Sequence, residues 1–223
     1  MGLFNENENV TNIDSFECLD EKNNPKKEDE NVMDLVFILD KSGSMHDLVD
    51  DTIGGFNSYI DKEKEKGEKI LVTLVLFDTE YRMLYARKPI EEVERLTREQ
   101  YYADGCTALL DAIGRTITSL DNEVTGKVLF VITTDGLENS SRHFTKDQVK
   151  HLIESHDWEF LFIGADIDSY HEAYTLGIDA SHAANYERSA GGVSGLFSSV
   201  GRYRCAFSKN EHRDVDWKGD GLD

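Results

Sequence analysis

Four short runs, 33–39, 70–77, 128–133 and 160–165, are dense in Val, Ile, Leu and Phe without inside/outside alternation, as strands covered on both faces must be. Between the first two, Met45, Leu48, Val49, Ile53, Phe56, Tyr59 and Ile60 recur at helical spacing and give way to a charged stretch and Gly67. That pattern predicts a crossover helix with a solvated Glu63-Lys64-Glu65-Lys66 end. Leu109, Leu110, Ile113, Ile117 and Leu120 predict a second helix, and Thr145-x-x-Gln148 opens a third with capping-box spacing. Ser169-x-x-Glu172 opens a fourth that Gly177 stops, and Val193, Leu196, Phe197 and Val200 predict a last one. Asp78-Thr79-Glu80 leaves too few residues for a crossover between 70–77 and 81–87, so those two strands form an antiparallel hairpin with 81–87 at the sheet edge. The remainder reads as β-α-β units. The expected fold is α/β: a doubly wound, mostly parallel sheet with one antiparallel edge strand and helices on both faces.

The flanks differ in character. Residues 1–31 hold nine Asp or Glu against three Lys and include seven Asn, with no apolar periodicity, and are read as a flexible acidic tail. Residues 208–223 offer Val215, Trp217 and Leu222 to a core and are read as a polar C-terminal tail. A single domain over 32–207 is then expected to fold as cooperatively as the whole chain. A formal charge of −20 opposes phosphate backbones and anionic lipid, so neither nucleic acid nor a membrane is an expected partner. The start MGLFNENENV lacks a basic segment and an apolar segment, and no apolar run reaches the ~18 residues of a membrane span, so a cytoplasmic location is expected. Glu6 stands where a myristoylation signal needs Ser or Thr. Cys18, Cys106 and Cys205 have no spacing for a disulfide framework or a zinc knuckle, and the sequons at Asn9 and Asn139 are read as accidental.

In open α/β sheets, ligands bind beyond the carboxyl ends of the strands where strand order reverses. Oxygen donors gather at those positions here: Asp40-Lys41-Ser42-Gly43-Ser44 after the first strand, Thr134-Asp135-Gly136 after the 128–133 run, and Thr107 at a helix start. In extended backbone, residues i, i+2 and i+4 point the same way, so Asp40, Ser42 and Ser44 can present one carboxylate and two hydroxyls to a common point. Two carboxylates and three hydroxyls suit Mg²⁺, which favours oxygen ligands and leaves positions for water or substrate. A chain with 23 Asp and 15 Ser contains about 0.1 D-x-S-x-S matches by chance, and the position after a buried strand sharpens the signal further. Helix N-termini near Ser44 and Thr107 are expected to add positive potential at this point of an acidic protein.

At these residues the chain resembles the von Willebrand factor A domain family, whose metal-ion-dependent adhesion site is D-x-S-x-S, then a Thr, then an Asp in T-D-G. The resemblance covers about residues 33–207 and implies a Rossmann-like fold. It implies that Ser42, Ser44 and Thr107 ligate a metal through hydroxyls while Asp40 and Asp135 act directly or through water. The metal would be Mg²⁺, with Mn²⁺ or Ca²⁺ as alternatives. Its open position takes an Asp or Glu side chain of a protein partner. The phrases Asp40-Lys41-Ser42-Gly43-Ser44-Met45 and Gly105-Cys106-Thr107-Ala108-Leu109 look like intracellular microbial members, which implies an ATPase or a stress-response factor as partner.

Blander readings stand beside this one. Asp40 and Ser44 can cap the following helix, but capping explains one of three residues. Asp78, Asp104 and Asp111 are read as structural, with Asp111 as a support for the metal ligands. Cys106 has no His tied to it by any signature and is not expected to be a nucleophile. The seven histidines show no H-x3-H pair and are read as surface or capping residues. The alternative function is a metal-dependent phosphohydrolase using Asp40 at the switch point. Haloacid-dehalogenase-like enzymes carry a second Asp two residues on, where this chain has Ser42, so no enzyme activity is expected.

Overall fold

The computed structural model describes residues 32–212 and 215–223. The chain forms β1 (Met33–Asp40), α1 (Val49–Glu65), β2 (Ile70–Phe77), β3 (Tyr81–Pro89), α2 (Leu109–Leu120), β4 (Lys127–Thr134), α3 (Lys146–Ser155), β5 (Glu159–Gly164), α4 (Ser169–Thr175), β6 (Ala183–Asn185) and α5 (Ala190–Ser208). The strands make one sheet in the order β3-β2-β1-β4-β5-β6. Only the β2–β3 pair is antiparallel among the strand pairs of this sheet.

Both faces of the sheet are covered, which is why the strands read as unbroken apolar runs. Met33, Leu35, Phe37 and Leu39 of β1 enter a core shared with Phe56 and Tyr59 of α1 and Leu196, Phe197 and Tyr203 of α5. Val36 and Ile38 point the other way, into a core with Ile113 and Ile117 of α2, Val149 of α3 and Ala173 of α4. Phe37 meets Phe56 and Tyr59 edge-on, with ring centroids 5.5 and 5.4 Å apart, the geometry aromatic quadrupoles favour. β1 has β2 on one side and β4 on the other, so the strand order reverses between β1 and β4 and opens a crevice at their carboxyl ends.

Several local expectations are corrected. The helix after β1 begins with a 3-10 turn over Gly43–Leu48 before α1. The α3 capping box at Thr145 and Gln148 is present as expected, whereas Asp168 and not Ser169 caps α4, its carboxylate accepting the His171 N–H. Glu63 is buried rather than solvated, because α5 places the fully buried Arg204 against it at 2.8 Å and Lys66 donates to its other oxygen. His182 and His212 are drawn beside Glu159 and so are not simple surface residues.

The C-terminal stretch read as a polar tail packs onto the domain. Trp217 and Leu222 are buried in the α1/α5 core, and the Trp217 indole donates to the Ser181 carbonyl at 2.8 Å. Asn185 and Asp223 exchange two backbone hydrogen bonds, so the chain end supplies partners to the exposed edge of β6. Few apolar residues suffice because α5 delivers this segment to an unpaired strand edge, which offers backbone donors and acceptors. The expected acidic N-terminal tail, 1–31, with Cys18, lies outside the described residues. Among the described residues no helix is long and apolar enough to cross a membrane.

Candidate metal centre

The parallel register of β1 and β4 sets Leu39 opposite Thr133, so Asp40 and Thr134 end side by side. Thr134 donates its hydroxyl to Asp40 Oδ2 at 2.5 Å, and the Ser42 backbone N–H donates to Asp40 Oδ1 at 2.7 Å. Ser42 is extended (φ −60°, ψ 166°) and makes no side-chain cap for the following 3-10 turn, so helix capping does not account for it. Its hydroxyl lies 3.1 Å from that of Ser44, and Ser44 donates to Asp135 Oδ1 at 2.5 Å. Tyr101 donates to the Asp40 carbonyl at 2.5 Å, and Gly43 N–H to the Gly105 carbonyl at 3.1 Å, which ties the first loop to the loop ahead of α2.

Thr107 completes the cluster through Gly136. A methyl group added to Gly136 would lie 2.9 Å from Thr107 Oγ1 and 3.7 Å from Ser44 Oγ, so glycine there preserves the space between the two hydroxyls. All five residues singled out in the sequence, Asp40, Ser42, Ser44, Thr107 and Asp135, therefore meet at one end of the sheet. Asp40, Ser42, Thr107 and Asp135 are buried and Ser44 is exposed, so the cluster opens to solvent on the Ser44 side.

Burial pushes the Asp40 carboxyl up to about 6, against the hydrogen bonds from Thr134 and Ser42. Burial also raises Asp135, opposed by Ser44 and by Arg188. Two desolvated carboxyls backed by neutral hydroxyls form an all-oxygen donor set, which fits a hard divalent cation. Among the described residues there is no group of three or more His, Cys, Asp and Glu able to hold a metal.

The expected positive end of α2 is already occupied. Glu138 Oε2 accepts the Leu110 N–H, Ser141 Oγ the Asp111 N–H and Asn139 Oδ1 the Thr107 N–H, each at 2.9 Å. Asp111 returns the contact by accepting three consecutive N–H groups, from Arg142, His143 and Phe144, so its structural role is to pin the loop after β4. Asp78 is structural too: it pairs with the buried Lys41 and accepts the Glu80 N–H. Cys106 is exposed and, among the described residues, forms no disulfide.

The basic residue at the centre carried no sequence signal. Arg188, between β6 and α5, donates Nη1 to Asp135 Oδ2 and Nη2 to the Ser44 carbonyl at 2.7 Å, with Nε 3.4 Å from Asp166 Oδ2. It is isolated in a loop, outside any motif or periodic face, and topology alone returns it to the β4 end.

No protein-family model matches the chain, and no curated protein matches it. Solved structures do. Proximal thread matrix protein 1 from the mussel byssus, solved with a zinc-occupied MIDAS motif, superposes with a TM-score of 0.55 at 16% identity over 77% of this chain and 45% of that one. The PilB minor pilin from Streptococcus sanguinis gives 0.59 at 13% identity over 86% and 64%. A von Willebrand factor type A protein from Catenulispora acidiphila gives 0.52 at 15% identity over 85% and 43%. The chain thus spans about half the length of the structures it matches. At these identities the likeness is one of fold, and the fold is that of von Willebrand factor A domains.

Proposed function

We propose that the domain is a metal-dependent protein-binding module whose divalent cation is held by Asp40, Ser42, Ser44, Thr107 and Asp135. The observation that carries this reading is the continuous contact from Asp40 through Ser42 and Ser44 to Asp135, with Thr107 across Gly136, at the strand-order switch. Mg²⁺ is the favoured ion. The zinc-occupied motif of the mussel protein supports divalent binding on this fold and adds Zn²⁺ to the ions worth titrating. When bound, the cation supplies a Lewis-acidic position that attracts an anion. The chain's own residues then do the rest: Thr134 and Ser42 N–H orient Asp40, Ser44 orients Asp135, and Gly136 keeps the space between hydroxyls clear. With the three neutral hydroxyls in direct contact and Asp40 and Asp135 acting through water, the ion's direct ligands carry no charge, so the partner group is an Asp or Glu side chain on a protein.

The phosphohydrolase alternative gains little support. Ser42 stands two residues after Asp40, where such an enzyme carries its second acid. The test is calorimetric titration with Mg²⁺, Mn²⁺ and Zn²⁺ on the full chain and on Asp40→Ala, followed by capture of binding proteins with and without EDTA. Binding that Asp40→Ala abolishes, and capture that EDTA reverses, are the expected results. Equal metal response in both chains removes the site assignment.

A further inference from the structure

We infer that Arg188 is a resident counter-cation of the metal centre, which competes with the divalent ion for Asp135 and holds the centre's intrinsic metal affinity low. The inference rests on the metal-binding reading above and adds a regulator to it. Its basis is geometric. The two oxygens of Asp135 are divided, Oδ1 toward the Ser44 hydroxyl and Oδ2 toward the Arg188 guanidinium. The same guanidinium reaches the Ser44 carbonyl at 2.7 Å, so it bridges the two loops that supply the hydroxyl and the second carboxylate. Asp166, the next acid along the rim, lies 3.4 Å from Nε. Arg188 is therefore held by three groups, and its side chain is 24% exposed.

The consequence follows from charge. A donor set with two carboxylates offers a divalent ion two negative charges, and a guanidinium fixed on one of them cancels half of that. Guanidinium stays charged at any physiological pH, so the opposition is permanent and not titratable. Unit charges a few ångströms apart at a partly buried site interact strongly enough to change a binding constant on the order of tenfold. A weak intrinsic site also suits recognition: the ion is retained best when an acidic partner adds the negative charge that Arg188 has offset, and the guanidinium can itself donate to that carboxylate.

The test is titration of the full chain with Mn²⁺ at fixed ionic strength, comparing wild type with Arg188→Gln and with the charge-retaining Arg188→Lys, each first checked for a cooperative thermal melt. Arg188→Met, neutral and of similar length, replaces the Gln variant if that one does not fold. We expect the neutral variant to bind Mn²⁺ about tenfold more tightly and the Lys variant to stay within about threefold of wild type. A merely structural role for Arg188 gives the opposite sign, because a loosened Asp135 binds metal less well. If wild type binds Mn²⁺ and the neutral variant binds equally or more weakly, the inference is overturned while the metal site stands. If neither wild type nor the neutral variant binds, both fall together.

Discussion

Thr134 donates its hydroxyl to Asp40 at 2.5 Å, so the last residue of β4 fixes the carboxylate that ends β1. The bond crosses the point where the sheet reverses its strand order, and joins the two loops that must stay in register for the oxygen cluster to exist. The same Thr134 oxygen accepts the Gly136 N–H at 3.2 Å, so one buried hydroxyl organises both the carboxylate and the turn that carries Asp135.

Thr134→Val keeps the shape of the side chain and removes that hydroxyl. Asp40 loses a donor at a buried carboxyl already pushed up by desolvation, and a cost of about 1–3 kcal/mol is expected. Urea denaturation with and without Mg²⁺ checks both halves of the claim: a lower midpoint, and a smaller increment on adding the ion. An unchanged midpoint would show that the bond carries no stability.

Asp111 holds the loop after β4 by accepting three backbone N–H groups. Burial opposes its ionisation, but these donors prevail and keep the carboxyl below its ordinary range. A carboxyl lowered on folding contributes stability above its unfolded pKa of ~3.9 and loses it as pH falls through the folded value. Asp111→Ala is therefore expected to cost roughly 1.5–3 kcal/mol at neutral pH and to show a shallower loss of stability below about pH 4 than wild type. Thermal melts across an acid series read this directly, and parallel curves would refute it.

Trp217 tests the corrected C-terminal boundary. It is buried, meets the Tyr203 ring edge-on at 5.8 Å and donates to the Ser181 carbonyl. Trp217→Ala is expected to lower stability by about 3–5 kcal/mol, and removal of 216–223 to destabilise the domain at least as much. A truncated chain that melts with the wild-type midpoint would restore the reading of this segment as a tail.

What the sequence disclosed follows from burial on two faces. β1, β2, β4 and β5 each carry enough apolar residues to be recognised alone, and once they are placed, the polar residues just beyond them become conspicuous. That is why the five clustered oxygen-bearing residues of the candidate centre could be named before any geometry. β6 escaped notice because Ala183-Ala184-Asn185 has neither length nor β-branched residues, and its pairing depends on β5 beside it. Arg188, Glu138 and Asn139 escaped for a related reason: their partners, Asp135, Leu110 and Thr107, are far away in sequence, and no local pattern records such a contact. Glu63 was misread because a run of alternating charges looks solvated until Arg204 is brought beside it.

The pH response of the C-terminal seam follows from His182. Its Nε2 lies 2.8 Å from the Tyr203 hydroxyl and 3.3 Å from Glu159 Oε2, and Glu159 also faces His212 at 3.3 Å. Burial lowers its pKa below the ordinary value, Glu159 and Asp179 oppose that shift, and His212 reinforces it. The folded protein thus favours the neutral ring. Protons bind the unfolded chain more readily once pH drops below the unfolded pKa of ~6.5, so stability falls from there through the lower folded value. His182→Gln keeps a polar tip and removes the titration. Wild type is expected to lose more melting temperature than His182→Gln between pH 7.5 and 5.5. Profiles that run parallel over that interval would mean that the ring charges as easily in the fold as in the unfolded chain.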